Sequence, residues 1–239
     1  METIEIKSFN ELKDHFLACT CGHHVFRGVQ NKNYQLIPSV GRDNRWDTNE
    51  RESLTKFKLR GVNKSSYQPI NDWEWLAIAQ HHGLPTRLLD WSTSPLVAAY
   101  FATLPQVDGY GIIQGCNPAG GAVYIAHFCQ YIDITLHSTP WEIKEPGFFF
   151  PPHITPRITG QGGLFSIQPL PCEPFEKDFE EEPALAISKL EFSAETASEI
   201  QRSLFRLGIR HDMLFPDLDG IATGIRIQSA LGDEFHESC

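Results

Sequence analysis

Residues 72–102 read DWEWLAIAQHHGLPTRLLDWSTSPLVAAYFA, and the stretch predicts two helices with a polar turn between them. Asp72 offers a side-chain oxygen to open the first helix, and Gly83 supplies a residue at which it can stop. Trp73, Trp75, Leu76, Ile78 and Ala79 cover most of its surface, so it is expected to be buried. Ser94 followed by Pro95 predicts a second start, with the serine as N-cap and the proline at the first helical position. Leu96 through Phe101 is apolar all round, as a central helix would be. The turn between them packs imidazole, hydroxyl, guanidinium and carboxylate groups, and polar groups held there must be paired. They form either a satisfied structural network or a site. In the structural version Ser94 caps a helix, Asp90 pairs with Arg87, and His81 and His82 fill the end of the preceding helix.

Working outward, Asn10 to Leu17 reads as a short helix and His24 to Gly28 as a strand ending in a turn. Gly28 is free there to take unusual backbone angles. Residues 49–60 look helical. Gly121 to Phe128, Tyr131 to Leu136 and Leu185 to Phe192 read as strands, and 139–175, rich in Pro, Gly and Phe, as loops around short strands. From Ser193 a helix places Ala197, Ile200, Leu204 and Leu207 on one face and stops at Gly208. A last helix starts near Asp217 to Gly220 and runs to about Gln228. Without regular βαβ spacing, the expectation is a single α+β domain over 1–239, with mixed or antiparallel sheets flanked by helices.

The 239 residues can bury a full core without covalent staples. No run of apolar residues is long enough for a transmembrane helix, and the N-terminus lacks the order of a secretory signal, so a cytoplasmic location without membrane partners is expected. The six cysteines are irregularly spaced and are expected to be free thiols. A net charge of −10 argues against nonspecific DNA binding but leaves room for a local basic pocket.

Several smaller constellations could carry chemistry. Phe26-Arg27-Gly28 can set five guanidinium donors against a phosphate or carboxylate, or Arg27 can simply form a surface ion pair. Arg157 to Phe165 is a glycine-containing loop, either a plain hairpin or a cradle for an anion. Asp217-Leu218-Asp219-Gly220 lacks the further ligands of a calcium loop, and helix capping accounts for it. Cys19-x-Cys21-x-His23-His24 does not have the spacing of a structural zinc site, so no metal is expected.

Taken together, the segments FRGVQNKNYQLIPSVGR, WEWLAIAQHHGLPTRLLDWSTSPLVAAYFA, RITGQGGLF and LFPDLDGIA resemble the FRG domain family, in the expected order over nearly the whole chain, with a motif-bearing core of about 22–228. The resemblance implies a bacterial or phage-borne protein with a role in defence or toxin systems.

A second resemblance is to ADP-ribosyltransferases of the arginine-serine-glutamate type. These place an aromatic-Arg-Gly on the first core strand and a Ser-Thr-Ser before a helix; here Phe26-Arg27-Gly28, Ser92-Thr93-Ser94 and Tyr100-Phe101-Ala102 stand in that order. It implies an ADP-ribosyltransferase-like fold and NAD as substrate. Arg27, Asp90, Ser92, Ser94 and His82 would then be catalytic. Phe26, Arg27, Gly28, Thr86, Arg87, Thr93, Tyr100, Arg157 and Gln161 would hold the nucleotide, and a protein or nucleic acid would accept ADP-ribose. Where that class carries its last glutamate, this chain has Gln161-Gly162-Gly163. Two other functions stand beside this one: a non-catalytic sensor that binds a nucleotide or a protein, and a metal-dependent nuclease built from His81, His82, His211, Asp217 and Asp219.

Overall fold

Strand β2 (His24–Val29) sends alternate side chains to opposite faces, Val25 into one apolar cluster and Phe26 into another, and the rest of the architecture follows from that alternation. It lies inside a seven-stranded sheet, seen in a computed structural model that describes residues 1–42, 46–64, 67–109, 111–151, 159–179 and 186–236. The other strands are β1 (Glu2–Ile6), β3 (Leu89–Ser92), β4 (Gly121–His127), β5 (Gly147–Phe149), β6 (Gly163–Ile167) and β7 (Ala186–Phe192). Their order is β1-β7-β4-β2-β3-β6-β5; β1 and β7 run parallel and every other pair antiparallel. With the helices described below, this is an α+β fold, as expected.

The helices among the described residues are α1 (Phe9–Ala18), α2 (Trp46–Gly61), α3 (Asp72–His81), α4 (Pro95–Ala102), α5 (Ala194–Arg206), the single turn α6 (His211–Leu214) and α7 (Leu218–His236). One face of the sheet buries Phe26, Ile125 and Leu190 against Phe16 of α1, Val97 of α4, and Ile200 and Leu204 of α5. The other buries Val25, Tyr124 and Trp91 against Phe148 and Phe175. A third cluster packs Leu54, Trp73 and Leu76 of α2 and α3 on Phe149 and Phe165, at the β5–β6 end.

Both central helices lie where the sequence placed them. Ser94 caps α4 through its hydroxyl, which accepts from the Val97 amide at 3.4 Å. The cap of α3 is Asn71, not Asp72: the Asn71 side chain accepts from the Glu74 amide at 3.0 Å, while the Asp72 carboxylate pairs with Lys58. An acid in the first turn still complements the helix dipole.

Other expectations are corrected. Residues 89–92, read as part of a turn, form β3, because pairing with β6 (Leu89↔Ser166 through Ser92↔Gly163) makes a strand of them. Tyr131 to Leu136 is not a strand: Tyr131 makes one isolated bridge to Phe148, and Ile134–Leu136 coil into a 3-10 turn capped by Asp133. Leu207 stands at the C-cap of α5 and is exposed, so it does not share the buried face. α7 extends past Gln228 to His236. Cys19, Cys21, Cys116, Cys129 and Cys172 are free thiols, as expected.

Asp90 does not pair with Arg87. Arg87 is buried against Glu50, with Nε 2.9 Å from Oε2 and the backbone amide 2.7 Å from Oε1, and its guanidinium lies over Trp141 at 4.5 Å. Burial pushes the Glu50 carboxyl up and Arg87 opposes that rise. Replacing one partner strands the other charge in the interior. Glu50→Gln is therefore expected to lower unfolding free energy by about 3 kcal/mol, as urea denaturation would measure.

Candidate functional site

β2 and β3 pair at one position, Phe26↔Ser92. Continuing that register would set Gly28 opposite Asp90, but the strands part there. The Arg27 side chain spans the opening, its Nη1 donating to the backbone carbonyl of Asp90. A ladder bond is thus replaced by a side-chain bond, and a cleft of about 440 Å³ lies at the opening. Phe26, Trp91, Ala98, Phe101, Leu104 and Phe215 supply its apolar surface, and Arg27, Arg42, Gln80, His81, Asp90 and Gln161 its polar groups. A cleft of this size, with an apolar wall and an equal share of convergent polar groups, suits a small polar ligand.

Gly28 is needed for close approach, not for unusual angles. Its φ is not positive, and a Cβ would lie 1.9 Å from the Ala98 carbonyl oxygen. β2 and α4 therefore touch backbone to backbone, which brings Ala98 and Phe101 to the edge of the cleft beside Arg27.

Arg27 is the electrostatic centre. Its side chain is 17% exposed and Nε is buried with no hydrogen-bond partner. Desolvation holds its pKa below the usual value; Asp90 opposes that effect and nearby Arg42 adds to it. Nη1 lies 3.8 Å from Asp90 Oδ2, which also accepts from Gln80 Nε2 at 2.8 Å. Asp90 Oδ1 has no partner among the described residues, and the side chain is 59% exposed. Two arginines thus face one carboxylate in the cleft of a chain whose net charge is −10.

The remaining sequence candidates divide. Phe26, Arg27, Gly28, Asp90, Ser92 and Gln161 line the cleft. The Ser92 hydroxyl is already engaged, donating to the Gln161 carbonyl at 2.6 Å and accepting from the Ser94 amide at 2.9 Å. Thr93 is exposed beside it, and its amide donates to the Gly162 carbonyl at 2.9 Å. Gly162 has φ +54°, which a residue with a side chain adopts only under strain, and its amide closes a turn on the Thr159 carbonyl. That amide is not offered to an anion. The Gln161 side chain donates to the Leu214 carbonyl at 3.0 Å. Arg157 lies outside the described residues.

His82, Thr86, Arg87 and Tyr100 do not line the cleft. His82 caps α3 and is exposed beside Phe57; its neighbour His81 takes the place at the cleft. Thr86 is buried and donates to Gln80 Oε1 at 2.7 Å, so it acts behind the residue that holds Asp90. Arg87 belongs to the Glu50 pair. Tyr100 faces a separate cavity, its hydroxyl 2.8 Å from His211 Nδ1, and burial pushes its phenol well up.

The proposed nuclease ligands are dispersed. Among the described residues His81, His82, His211, Asp217 and Asp219 form no metal-binding group, and Asp217 caps α7 by accepting from the Gly220 amide at 2.7 Å. Sequence reading missed Arg42 and Gln80, which reach the cleft from the 3-10 turn Ser39–Arg42 and from the last turn of α3. Both lie within the segments that carry the FRG resemblance, but no local pattern gives either a place at the site.

No curated protein and no solved structure matches the chain. Residues 22–108, which supply β2, the turn behind the cleft, β3 and α4, match the FRG domain.

Proposed function

We propose that the cleft binds NAD and cleaves its bond to nicotinamide, passing ADP-ribose to water or to a protein or nucleic-acid acceptor, as a transferase-like effector in bacterial or phage conflict. The observation that supports it is Arg27: a nearly buried guanidinium with an unused Nε, at a cleft where two arginines face one carboxylate. Arg27 and Arg42 grip the pyrophosphate, and the apolar wall of Phe101 and Phe215 takes the ring. As the C1′–N bond breaks, its electron pair leaves with nicotinamide and the ribose gains oxocarbenium character. Asp90, through Oδ1, stabilises that positive charge, and an oxygen nucleophile then closes on C1′. The strands outside 22–108 share one sheet with β2, which favours one domain over 1–239.

Free nicotinamide measured after incubation with NAD tests the reading. Asp90→Asn is expected to lower kcat about 10²-fold with little change in KM, because it removes charge stabilisation from the transition state while leaving the phosphate grip. An unchanged kcat would remove Asp90 from the chemistry. Induced expression in bacteria is expected to arrest growth, with Arg27→Ala relieving the arrest.

A second reading, a sensor that binds NAD without turnover, is favoured by the 161–163 loop. It carries no carboxylate, and both the Gln161 carbonyl and its side-chain amide are committed within the protein. NAD-dependent thermal stabilisation without nicotinamide release would select it.

A further inference from the structure

At the other end of β2 from the cleft, three side chains from two segments converge. His24 opens β2 and is the register partner of His127, the last residue of β4; their rings stand 4.9 Å apart. Cys21 precedes β2 in a tight turn that folds its thiol back over the strand, so that Sγ lies 3.3 Å from His24 Nδ1. The turn is held in two places. The Cys21 carbonyl is 3.2 Å from the same Nδ1, and the Phe128 amide donates to the His23 carbonyl at 3.2 Å. The ligand atoms of Cys21, His24 and His127 all lie within 4.8 Å of one another.

We propose that Cys21, His24 and His127 form a binding site for a borderline-soft divalent cation of the zinc type, with three protein ligands and a fourth position open to solvent. A zinc ion with bonds of ~2.3 Å to sulfur and ~2.0 Å to nitrogen sets those atoms roughly 3.5 Å apart at a tetrahedral angle. The Cys21–His24 pair, at 3.3 Å, is close to that spacing, and the cation replaces the proton between thiol and imidazole. One thiolate with two imidazoles excludes the hard cations magnesium and calcium, which take oxygen ligands. His24 and His127 are half-buried at the rim of a groove of about 660 Å³ and Cys21 is exposed, so water can complete the coordination. Bound there, the ion clips the turn before β2 to the end of β4.

The test is a cobalt titration of the full chain, stripped of metal with a chelator, carrying no histidine tag and kept reduced. One Co²⁺ per chain is expected, with a thiolate-to-cobalt charge-transfer band in the near ultraviolet, displaced by equimolar Zn²⁺. Cys21→Ser is expected to abolish that band, and His127→Asn to weaken binding at least about tenfold. Metal-free circular dichroism and melting temperature of both variants should match wild type, showing that the loss is one of ligands and not of fold. Binding without the charge-transfer band, or titrations unchanged in both variants, would overturn the site. So would the absence of any cobalt binding by the folded wild type.

Discussion

Arg27→Ala is expected to reduce kcat/KM for nicotinamide release from NAD by roughly 10²- to 10⁴-fold while leaving the protein folded. A guanidinium gripping a pyrophosphate makes two charge-assisted hydrogen bonds, each contributing about 1.5–3 kcal/mol, and alanine removes both. Stability should change far less. The substitution loses the bond to the Asp90 carbonyl but also removes a charge whose Nε is buried without a partner, and these effects oppose each other. The net change in unfolding free energy should stay within about 1 kcal/mol. Arg27→Lys keeps the charge without the planar fork and should fall between wild type and alanine. Nicotinamide chromatography beside calorimetry separates the two effects. A variant that keeps wild-type kcat/KM would remove Arg27 from the site, and one that fails to fold would make it a structural residue.

Gly28→Ala is expected to be strongly damaging for a single added methyl, costing more than about 4 kcal/mol or preventing folding. The added Cβ would stand 1.9 Å from the Ala98 carbonyl oxygen and 2.6 Å from the Ala102 amide nitrogen. Both are backbone atoms of α4, so no rotamer change relieves the clash. The helix would have to lift from β2 by more than about 1 Å, opening the close-packed interior around Phe26 and Val97. Gly115→Ala, where nothing lies within 4 Å and φ is not positive, is the control and should stay within about 0.5 kcal/mol. Soluble yield and urea unfolding measure both. Near-equal stability of the two variants would mean that β2 and α4 are not locked backbone to backbone.

What could be read in the sequence was what short-range physics enforces. The starts of α4 and α5, the burial of α3 and the strand nature of β2, β4 and β7 all follow from caps and apolar spacing within a few residues. β3 escaped that reading because Leu89-Asp90-Trp91-Ser92 is too short to show a period and becomes a strand only against β6. The same limit applied to partners. Asp90 and Arg87 are near in sequence but turn apart, Arg87 to Glu50 and Asp90 to Arg27 and Gln80, because pairing across elements was the way to satisfy each charge.

The sequence by itself singled out Arg27 and the 81–102 segment as candidates, since a Phe-Arg-Gly strand end and a polar turn between apolar helices are local signals. Only the tertiary structure decided which of those groups meet. It brought Arg42 and Gln80 to the cleft, drew Thr86, Arg87 and Tyr100 away from it, and set His127 beside Cys21 and His24. The physical reason is that sheet register and helix packing fix distances between segments remote in sequence, and no local pattern of residues encodes those distances.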